Sequence, residues 1–122
     1  MAMSGFSTRE QSEAMIVVFD NAAGLNDFRN QALRDELYDL VQSRAEPFVA
    51  LDLLKIDYLS SSGVAILVGL KRRIDTRNGK IVFFHVQPIV RDLLKVMKLD
   101  RYFPVADDEQ AAIASLRPAS TI

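Results

Sequence analysis

The feature that most constrains the fold of this chain is an apolar strand that passes into an apolar helix through a polar turn. Residues 47–53 form a short apolar run that is typical of a buried strand. Apolar residues then recur at helical spacing from about Ser62 to Arg77, and Asn78-Gly79 is a typical helix end. A further apolar strand follows at Lys80–His85. This alternation predicts a layered α/β architecture.

The N-terminal third adds two strands and a helix. We expect a short edge strand at Phe6–Glu10 and a buried strand at Ala14–Phe19, which is rich in β-branched residues. Two strands in succession, before helices and strands alternate, indicate a mixed sheet. A helix is predicted from about Asp27 to Arg44, with Asn26 as its N-cap. The apolar stripe of this helix is Phe28, Leu33, Leu37, Leu40 and Val41.

The C-terminal third contributes two more helices. Pro88 indicates a helix start, because proline fits the first helical position. Asp107 is expected to cap a last helix, with Ile113 and Leu116 facing inward. We therefore predict an α/β fold in which a mixed sheet is packed on one side by about four helices. The apolar stripe of the Pro88 helix is Ile89, Val90, Leu93, Val96 and Met97.

Length, charge and composition narrow the possible functions. A chain of 122 residues with 49% hydrophobic residues fits a single domain over residues 1–122, with a core at about 15–116 and frayed tails. A net charge of −1 argues against a direct nucleic-acid partner. No apolar run reaches the roughly 20 residues of a membrane span, and the first residues lack a secretory signal pattern. We therefore expect a cytoplasmic protein without membrane insertion.

The sequence offers little to a conventional enzyme. It contains no cysteine, and His85 is its single histidine, which excludes thiolate metal sites and zinc sites with two histidines. Gly63, Gly69 and Lys71 do not have the spacing of a phosphate-binding loop. We expect a protein that is not an enzyme and needs no cofactor or metal, with His85 in a structural or rim position.

The turn before the second predicted helix carries three consecutive hydroxyls, on Ser60, Ser61 and Ser62. A helix N-terminus has unpaired N–H groups and a dipole that favours negative charge, so a phosphate would be tolerated here. Capping requires a single hydroxyl and does not account for all three. The residues thus suggest a phosphorylation switch, beside the alternative of a purely structural turn.

The second predicted helix has two distinct apolar faces. Val64 and Val68 lie on a flank beside Lys71 and Asp75 rather than on the core stripe. They predict a docking surface next to the serine turn, unless a neighbouring helix covers them. The core stripe is Gly63, Ile66, Leu67, Leu70 and Ile74.

Together these features resemble the STAS domain, a family named for sulfate transporters and anti-sigma-factor antagonists. The turn Leu59-Ser-Ser-Ser-Gly-Val64 is similar to the family's usual Asp-Ser-Ser/Thr-Gly-Leu and lies between a strand and an aliphatic helix. The resemblance extends over about Met15–Leu116 and includes Gly79-Lys80, Pro88 and the ending Leu99-x-x-x-Phe103-x-Val105. It implies the STAS fold and the size of a single-domain antagonist.

The resemblance also implies a partner-switching mechanism. Such an antagonist binds a serine-kinase anti-sigma factor, is released when that kinase phosphorylates it, and is restored by a PP2C-type serine phosphatase. Aligned on Gly63, the phosphoacceptor falls on Ser61, while Asn26 and Ser60 stand where the family usually has aspartates. Together with the valine flank, the expected partner-binding residues are Asn26, Ser60, Ser61, Ser62, Val64 and Val68.

Two other functions stay open from the sequence. One is a STAS subunit without phosphorylation in a membrane-associated transport complex, for example for lipids, in which Ser61 is a cap and docking residue. The lack of aspartate at positions 26 and 60 favours this alternative. The other is a small enzyme or nucleotide-binding domain, which the lack of a phosphate-binding loop disfavours.

Overall fold

The computed structural model describes residues 5–116 and contains a four-stranded sheet covered by helices. The predicted α/β class is confirmed. Residues 1–4 and 117–122 of the tails expected to fray lie outside the described residues, whereas residues 6–14 belong to the first two strands and the turn between them. The strands are β1 (Phe6–Gln11), β2 (Ala14–Phe19), β3 (Phe48–Asp52) and β4 (Lys80–Phe84). The helices are α1 (Ala22–Asn26), α2 (Gln31–Gln42), α3 (Ser61–Asp75), α4 (Pro88–Val96) and α5 (Glu109–Leu116).

The sheet is mixed, as predicted, and its strands follow one another in the order β1-β2-β3-β4. β1 is an edge strand that pairs antiparallel with β2 through a tight turn at Ser12 and Glu13, which have φ of 51° and 69°. β2, β3 and β4 are mutually parallel. Because their carboxyl ends meet at the same edge of the sheet, α1, α3 and α4 all begin there.

The two faces of the sheet are covered unequally. Alternation along β2 directs Met15 and Val17 into the larger core, which also contains the buried residues of α1 to α4. Ile16 faces the other side, where α5 packs on the sheet through Ala112 and Ile113. The prediction placed all four of its helices on one face; α2, α3 and α4 lie there with the short α1, whereas the last predicted helix, α5, covers the other face. The fifth helix is needed because the second face is also apolar and would otherwise be exposed to water.

The helix predicted over 27–44 is wrong at its start. The chain forms the short α1, turns over residues 27–30, and begins α2 at Gln31. Asn21 and Asn30 cap these helices by accepting from the N–H groups of Gly24 at 2.8 Å and Leu33 at 3.3 Å. Asn26 is therefore the last residue of α1 and not an N-cap. Phe28 falls in the turn and is 74% exposed rather than inward.

The stripe predicted for α4 is too wide. Pro88 does begin this helix, and Val90 and Leu94 face the core. Ile89 and Val96, however, are exposed. Because α4 contacts the core along a narrow stripe, apolar residues at the margins of the predicted stripe remain exposed to water.

The cap predicted for the last helix is displaced by one residue. The Asp108 carboxylate, and not that of Asp107, accepts a hydrogen bond of 2.8 Å from Ala111 N. Ile113 and Leu116 are buried, as predicted. The shift does not alter which face of α5 lies on the sheet.

Candidate functional site

The serine turn lies at the carboxyl edge of the sheet, where the loop after β3 enters α3. Ser60 has an extended backbone and is the N-cap of α3, and its Oγ accepts from Gly63 N at 3.1 Å. α3 begins at Ser61, one residue before the predicted start. The predicted core stripe of α3 is confirmed, because all of its members are buried. They are Gly63, Ile66, Leu67, Leu70 and Ile74.

Asn26 joins the end of α1 to this turn. Its side-chain Nδ2 donates to the carbonyl of Ala22 at 2.8 Å and to that of Tyr58 at 3.0 Å. Its Oδ1 accepts from Ser60 N at 2.6 Å, and its backbone carbonyl accepts from the Ser60 hydroxyl at 3.0 Å. The amide orientation is fixed, since a flipped amide would place its NH₂ against the Ser60 N–H. Asn26 thus links the end of α1 to the serine turn, and we call this group of hydrogen bonds the clasp.

Gly63 is required by the close approach of this clasp. A Cβ at position 63 would lie 2.2 Å from Asn26 Oδ1, far inside van der Waals contact. Any side chain there would therefore push Asn26 away from Ser60. The glycine of the serine motif is explained by this contact and not by an unusual backbone angle.

The three hydroxyls of the turn have different surroundings. The Ser60 hydroxyl is half-buried and hydrogen-bonded on both sides. Ser62 is half-buried and lines a groove between α2 and α3. Ser61 is exposed, and no hydrogen bond of its hydroxyl is found within residues 5–116. The first turn of α3 contains no acidic residue, so the helix end next to Ser61 keeps its positive partial charge.

The groove beside Ser62 has a volume of about 240 Å³ and separates the start of α3 from α2. Phe28 and Ala65 are among its apolar lining residues, and Tyr38 forms part of its wall. The Tyr38 hydroxyl donates to the carbonyl of Ile66 at 3.0 Å, and burial raises the pKa of this tyrosine. Tyr38 therefore stays neutral at physiological pH and fixes α2 against α3.

The valine flank of α3 is half covered. Val64 and Val68 are partly buried and pack against the larger core. Beside them, Lys71 forms an ion pair of 2.8 Å with Asp75 and lies 4.7 Å from the ring centroid of Tyr102. The flank therefore offers less free apolar surface than the sequence alone indicated.

Two side chains near the turn, those of Asp27 and His85, contact charged neighbours. Asp27 accepts from the Arg29 guanidinium at 3.1 Å, and this hydrogen bond lowers the pKa of the Asp27 carboxyl. On the other side of the turn, His85 Nδ1 lies 3.1 Å from Asp52 Oδ1, which also accepts from Leu54 N. His85 is half-buried at the rim of the sheet. It shapes the loop that leads to the serines.

Over residues 5–116 the structure contains no group of three histidine or acidic side chains that could hold a metal ion. In the same part of the chain, none of the helices has the length and apolar character needed to cross a membrane.

The sequence patterns do not reveal four exposed apolar side chains in the segments on either side of the turn. Phe28 and Tyr58 are two residues from Asn26 and Ser60 respectively, and both are exposed, at 74% and 44%. Leu54 and Ile89 are also exposed, in the β3–α3 loop and at the start of α4. Because the apolar spacing places Phe28 and Ile89 on core stripes, only the structure reveals their exposure.

Comparisons with known proteins point to one family. Residues 6–112 match the family model of the STAS domain. Over 95 residues the chain is 30% identical to BtrV of Bordetella bronchiseptica, whose name describes it as a candidate anti-sigma factor antagonist. That alignment covers 78% of this chain and 81% of BtrV.

Solved structures share the fold. A STAS domain protein from Planctomyces limnophilus, described as an anti-sigma-factor antagonist, superposes with a TM-score of 0.81 at 18% identity, covering 91% of this chain and 97% of that one. The Bacillus cell fate determinant SpoIIAA, in its phosphorylated form, gives a TM-score of 0.66 at 18% identity, with 92% and 99% of the two chains covered.

Proposed function

This chain belongs to the STAS domain family, and we propose that it is an anti-sigma-factor antagonist in a cytoplasmic partner-switching pathway. In this proposal it binds a serine-kinase anti-sigma factor and is released when the kinase phosphorylates Ser61. A PP2C-type serine phosphatase then restores binding. The observation that carries the proposal is the exposed Ser61 hydroxyl at an uncompensated helix N-terminus.

The surroundings of the three hydroxyls favour Ser61 as the acceptor. A kinase must bring the γ-phosphate of ATP to the attacking oxygen in line, which requires an accessible hydroxyl. The Ser60 hydroxyl holds the cap and the Asn26 carbonyl, so its use would break two hydrogen bonds. Ser62 is half-buried in the groove. Ser61 can be modified without either cost.

A phosphate on Ser61 would act on the surface rather than on the fold. It adds about −1.5 to −2 charges, which the N-terminus of α3 tolerates. A partner surface that packs closely around Ser61 would have to desolvate that charge, which is unfavourable unless it is paired. Association is therefore lost while the domain stays folded.

The predicted partner-binding residues divide into two roles in this proposal. Ser61 and Ser62, with the uncovered parts of Val64 and Val68, form the contact surface. Asn26 and Ser60 act through position, because their side-chain polar atoms are occupied by bonds within the domain. They hold the turn in the conformation that exposes Ser61.

One observation favours a second candidate, a STAS subunit of a membrane-associated transport complex without phosphorylation. Neither Asn26 nor Ser60 carries the charge usual in the family, and Asn26 Nδ2 faces two carbonyl oxygens where a carboxylate would be repelled. The clasp is thus built for an uncharged residue. In that case the serine turn is a docking element that never changes its charge.

Affinity purification from native cytosol, with and without ATP, separates these candidates. We expect the wild-type chain to retain a histidine-kinase-like ATPase that ATP releases, and Ser61→Ala to retain it in both conditions. Phosphopeptide mapping should find phosphate on Ser61. Phosphate on Ser60 or Ser62 alone would show that the acceptor is misassigned, while recovery of transporter subunits without any phosphate would support the second candidate.

A further inference from the structure

Large exposed apolar side chains are unevenly distributed over this domain. Within residues 5–116 the strongly exposed ones are Phe28 at 74%, Leu54 at 57%, Tyr58 at 44%, Ile89 at 55% and Val96 at 80%. Four of them lie where the chain leaves the carboxyl ends of the parallel strands, whereas Val96 is the last residue of α4, at the opposite end of that helix from Ile89. The carboxyl edge is the edge of the sheet at which Ser61 begins α3. We call Phe28, Leu54, Tyr58 and Ile89 the apolar rim.

The strand order places the apolar rim on both sides of Ser61. Phe28 follows β2 and α1, Leu54 and Tyr58 lie in the loop after β3, and Ile89 follows β4. Hydrogen bonds hold these segments together. Asn26 Nδ2 donates to the carbonyl of Tyr58, and Gln87 Nε2 donates to the carbonyl of Leu54 at 2.7 Å. β3 lies between β2 and β4, so the serine turn stands between Phe28 and Ile89.

The proposed function indicates that the kinase covers the carboxyl edge of the sheet. A kinase that modifies Ser61 must bring ATP to within about 3–3.5 Å of the hydroxyl oxygen, so its surface must close over the surrounding residues. A stable interface buries about 800 Å² on each partner, which corresponds to a disc of roughly 16 Å radius. A domain of this length has a radius of gyration of about 14 Å. A footprint centred on Ser61 therefore covers the whole carboxyl edge.

We propose that the apolar rim is the contact by which this domain selects its serine-kinase anti-sigma factor. The inference rests on the proposed function and adds to it the residues and the chemistry of the contact. The kinase would present an apolar patch around its nucleotide site, since aromatic side chains that become fully desolvated dominate interface energetics. A contact through the apolar rim would explain why a phosphate at Ser61 releases the partner, because the phosphate charge would be buried among apolar side chains.

The structure supplies a matched control for this proposal. Val96 is as exposed as Phe28 but lies at the other end of α4 from Ile89. Truncating each of the three side chains to alanine removes exposed apolar surface without opening a cavity. Phe28→Ala and Ile89→Ala change the apolar rim on opposite sides of Ser61, while Val96→Ala leaves it intact.

The test uses the full chain and the purified ATPase that is retained by the wild-type protein and released by ATP. Calorimetric titration without ATP should show Phe28→Ala and Ile89→Ala binding at least tenfold more weakly, with Val96→Ala within twofold of wild type. In the presence of ATP, the two rim variants should require higher concentrations for half-maximal phosphorylation of Ser61. Thermal melts of all variants should agree with wild type within about 2 °C.

Several results would overturn the inference. If the rim variants bind as tightly as wild type, or if Val96→Ala is weakened equally, the contact lies elsewhere although the antagonist function stands. If the wild-type chain dimerises in sedimentation and Phe28→Ala does not, the rim binds a second copy instead. If no kinase binds the wild-type chain at all, the proposed function fails before any rim variant is compared, and the inference fails with it.

Discussion

Replacing Asn26 by aspartate tests the clasp with a change of a single group. Asn26→Asp keeps the shape of the side chain and substitutes an oxygen for Nδ2, which lies 2.8 Å from the Ala22 carbonyl and 3.0 Å from the Tyr58 carbonyl. Two donated hydrogen bonds become contacts between acceptors. The position is 9% exposed, so water cannot restore the pairing. We expect the variant to fold with a weakened link between α1 and the serine turn.

The expected loss of stability follows from the bonds removed. Each hydrogen bond contributes about 0.5–1.5 kcal/mol, and a buried group left unpaired costs about 1–3 kcal/mol. Asn26→Asp should therefore destabilise the domain by about 2–4 kcal/mol at neutral pH. For a domain of this size, a change of about 1 kcal/mol in the free energy of unfolding shifts the melting temperature by about 3–5 °C. The melting temperature should fall by roughly 10 °C.

The loss should also depend on pH. Two facing carbonyls disfavour the charged form, so the pKa of the introduced carboxyl is raised above its unfolded value of about 3.9. Because the carboxyl has a higher pKa in the folded state than in the unfolded state, the loss of stability is fully present at pH values above the folded-state pKa. It becomes smaller as the pH falls through the folded-state pKa towards the unfolded-state pKa. A protonated carboxyl can donate to one of the two carbonyls. The difference from wild type should therefore be smaller at pH 4.5 than at pH 7.

Asn21→Asp is the matched control. Asn21 caps α1 from an exposed position, and its Oδ1 accepts from Gly24 N without any donor bond from its Nδ2 within residues 5–116. Aspartate is an equally good cap, so this variant should melt within about 2 °C of wild type. If Asn26→Asp also melts within that margin, or if its deficit grows at low pH, the clasp does not stabilise the domain as described.

Further variants test the acceptor, a helix end and the two faces of α3. Ser61→Ala should keep the affinity for the kinase and Ser61→Asp should weaken it, as measured by calorimetric titration; equal affinities would place Ser61 outside the interface. Lys98 follows α4 with φ of 60°, so Lys98→Gly should raise the stability by about 0.5–1 kcal/mol in denaturant melts, and a loss would contradict this. Leu67→Ala should cost about 2–5 kcal/mol through a core cavity. Val68→Lys should change stability less and weaken binding; equal unfolding by both would make Val68 a core residue.

The sequence predicts the order of the elements well, because that order follows from apolar runs and periodicity. β2, β3, β4 and the core stripe of α3 are all where the local pattern places them. The region after β2 fails for a physical reason. Asn21, Asn26 and Asn30 are all capable caps, and local propensity cannot choose among them. The Asn26 side chain is instead bonded to Tyr58 and Ser60, which lie far away in sequence and which local propensity does not take into account.

The candidate site is predicted only in part, for a similar reason. The serine turn is visible because three hydroxyls exceed what a cap requires. Which hydroxyl is free is not visible, since it depends on the contact of Ser60 with Asn26. The exposure of Phe28 is likewise hidden, because apolar spacing cannot tell a core residue from one that lies just beyond a helix start.

The clasp and the exposed serine together suggest how the domain separates folding from signalling. Asn26, Ser60 and Gly63 use their polar groups and close contacts to fix the backbone of the turn. Ser61, beside them, carries none of these contacts. Phosphorylation of Ser61 therefore leaves the backbone of the turn in place. Its charge changes the free energy of association with the partner and does not unfold the turn. A residue that served both as clasp and as acceptor would lose its support each time it was modified.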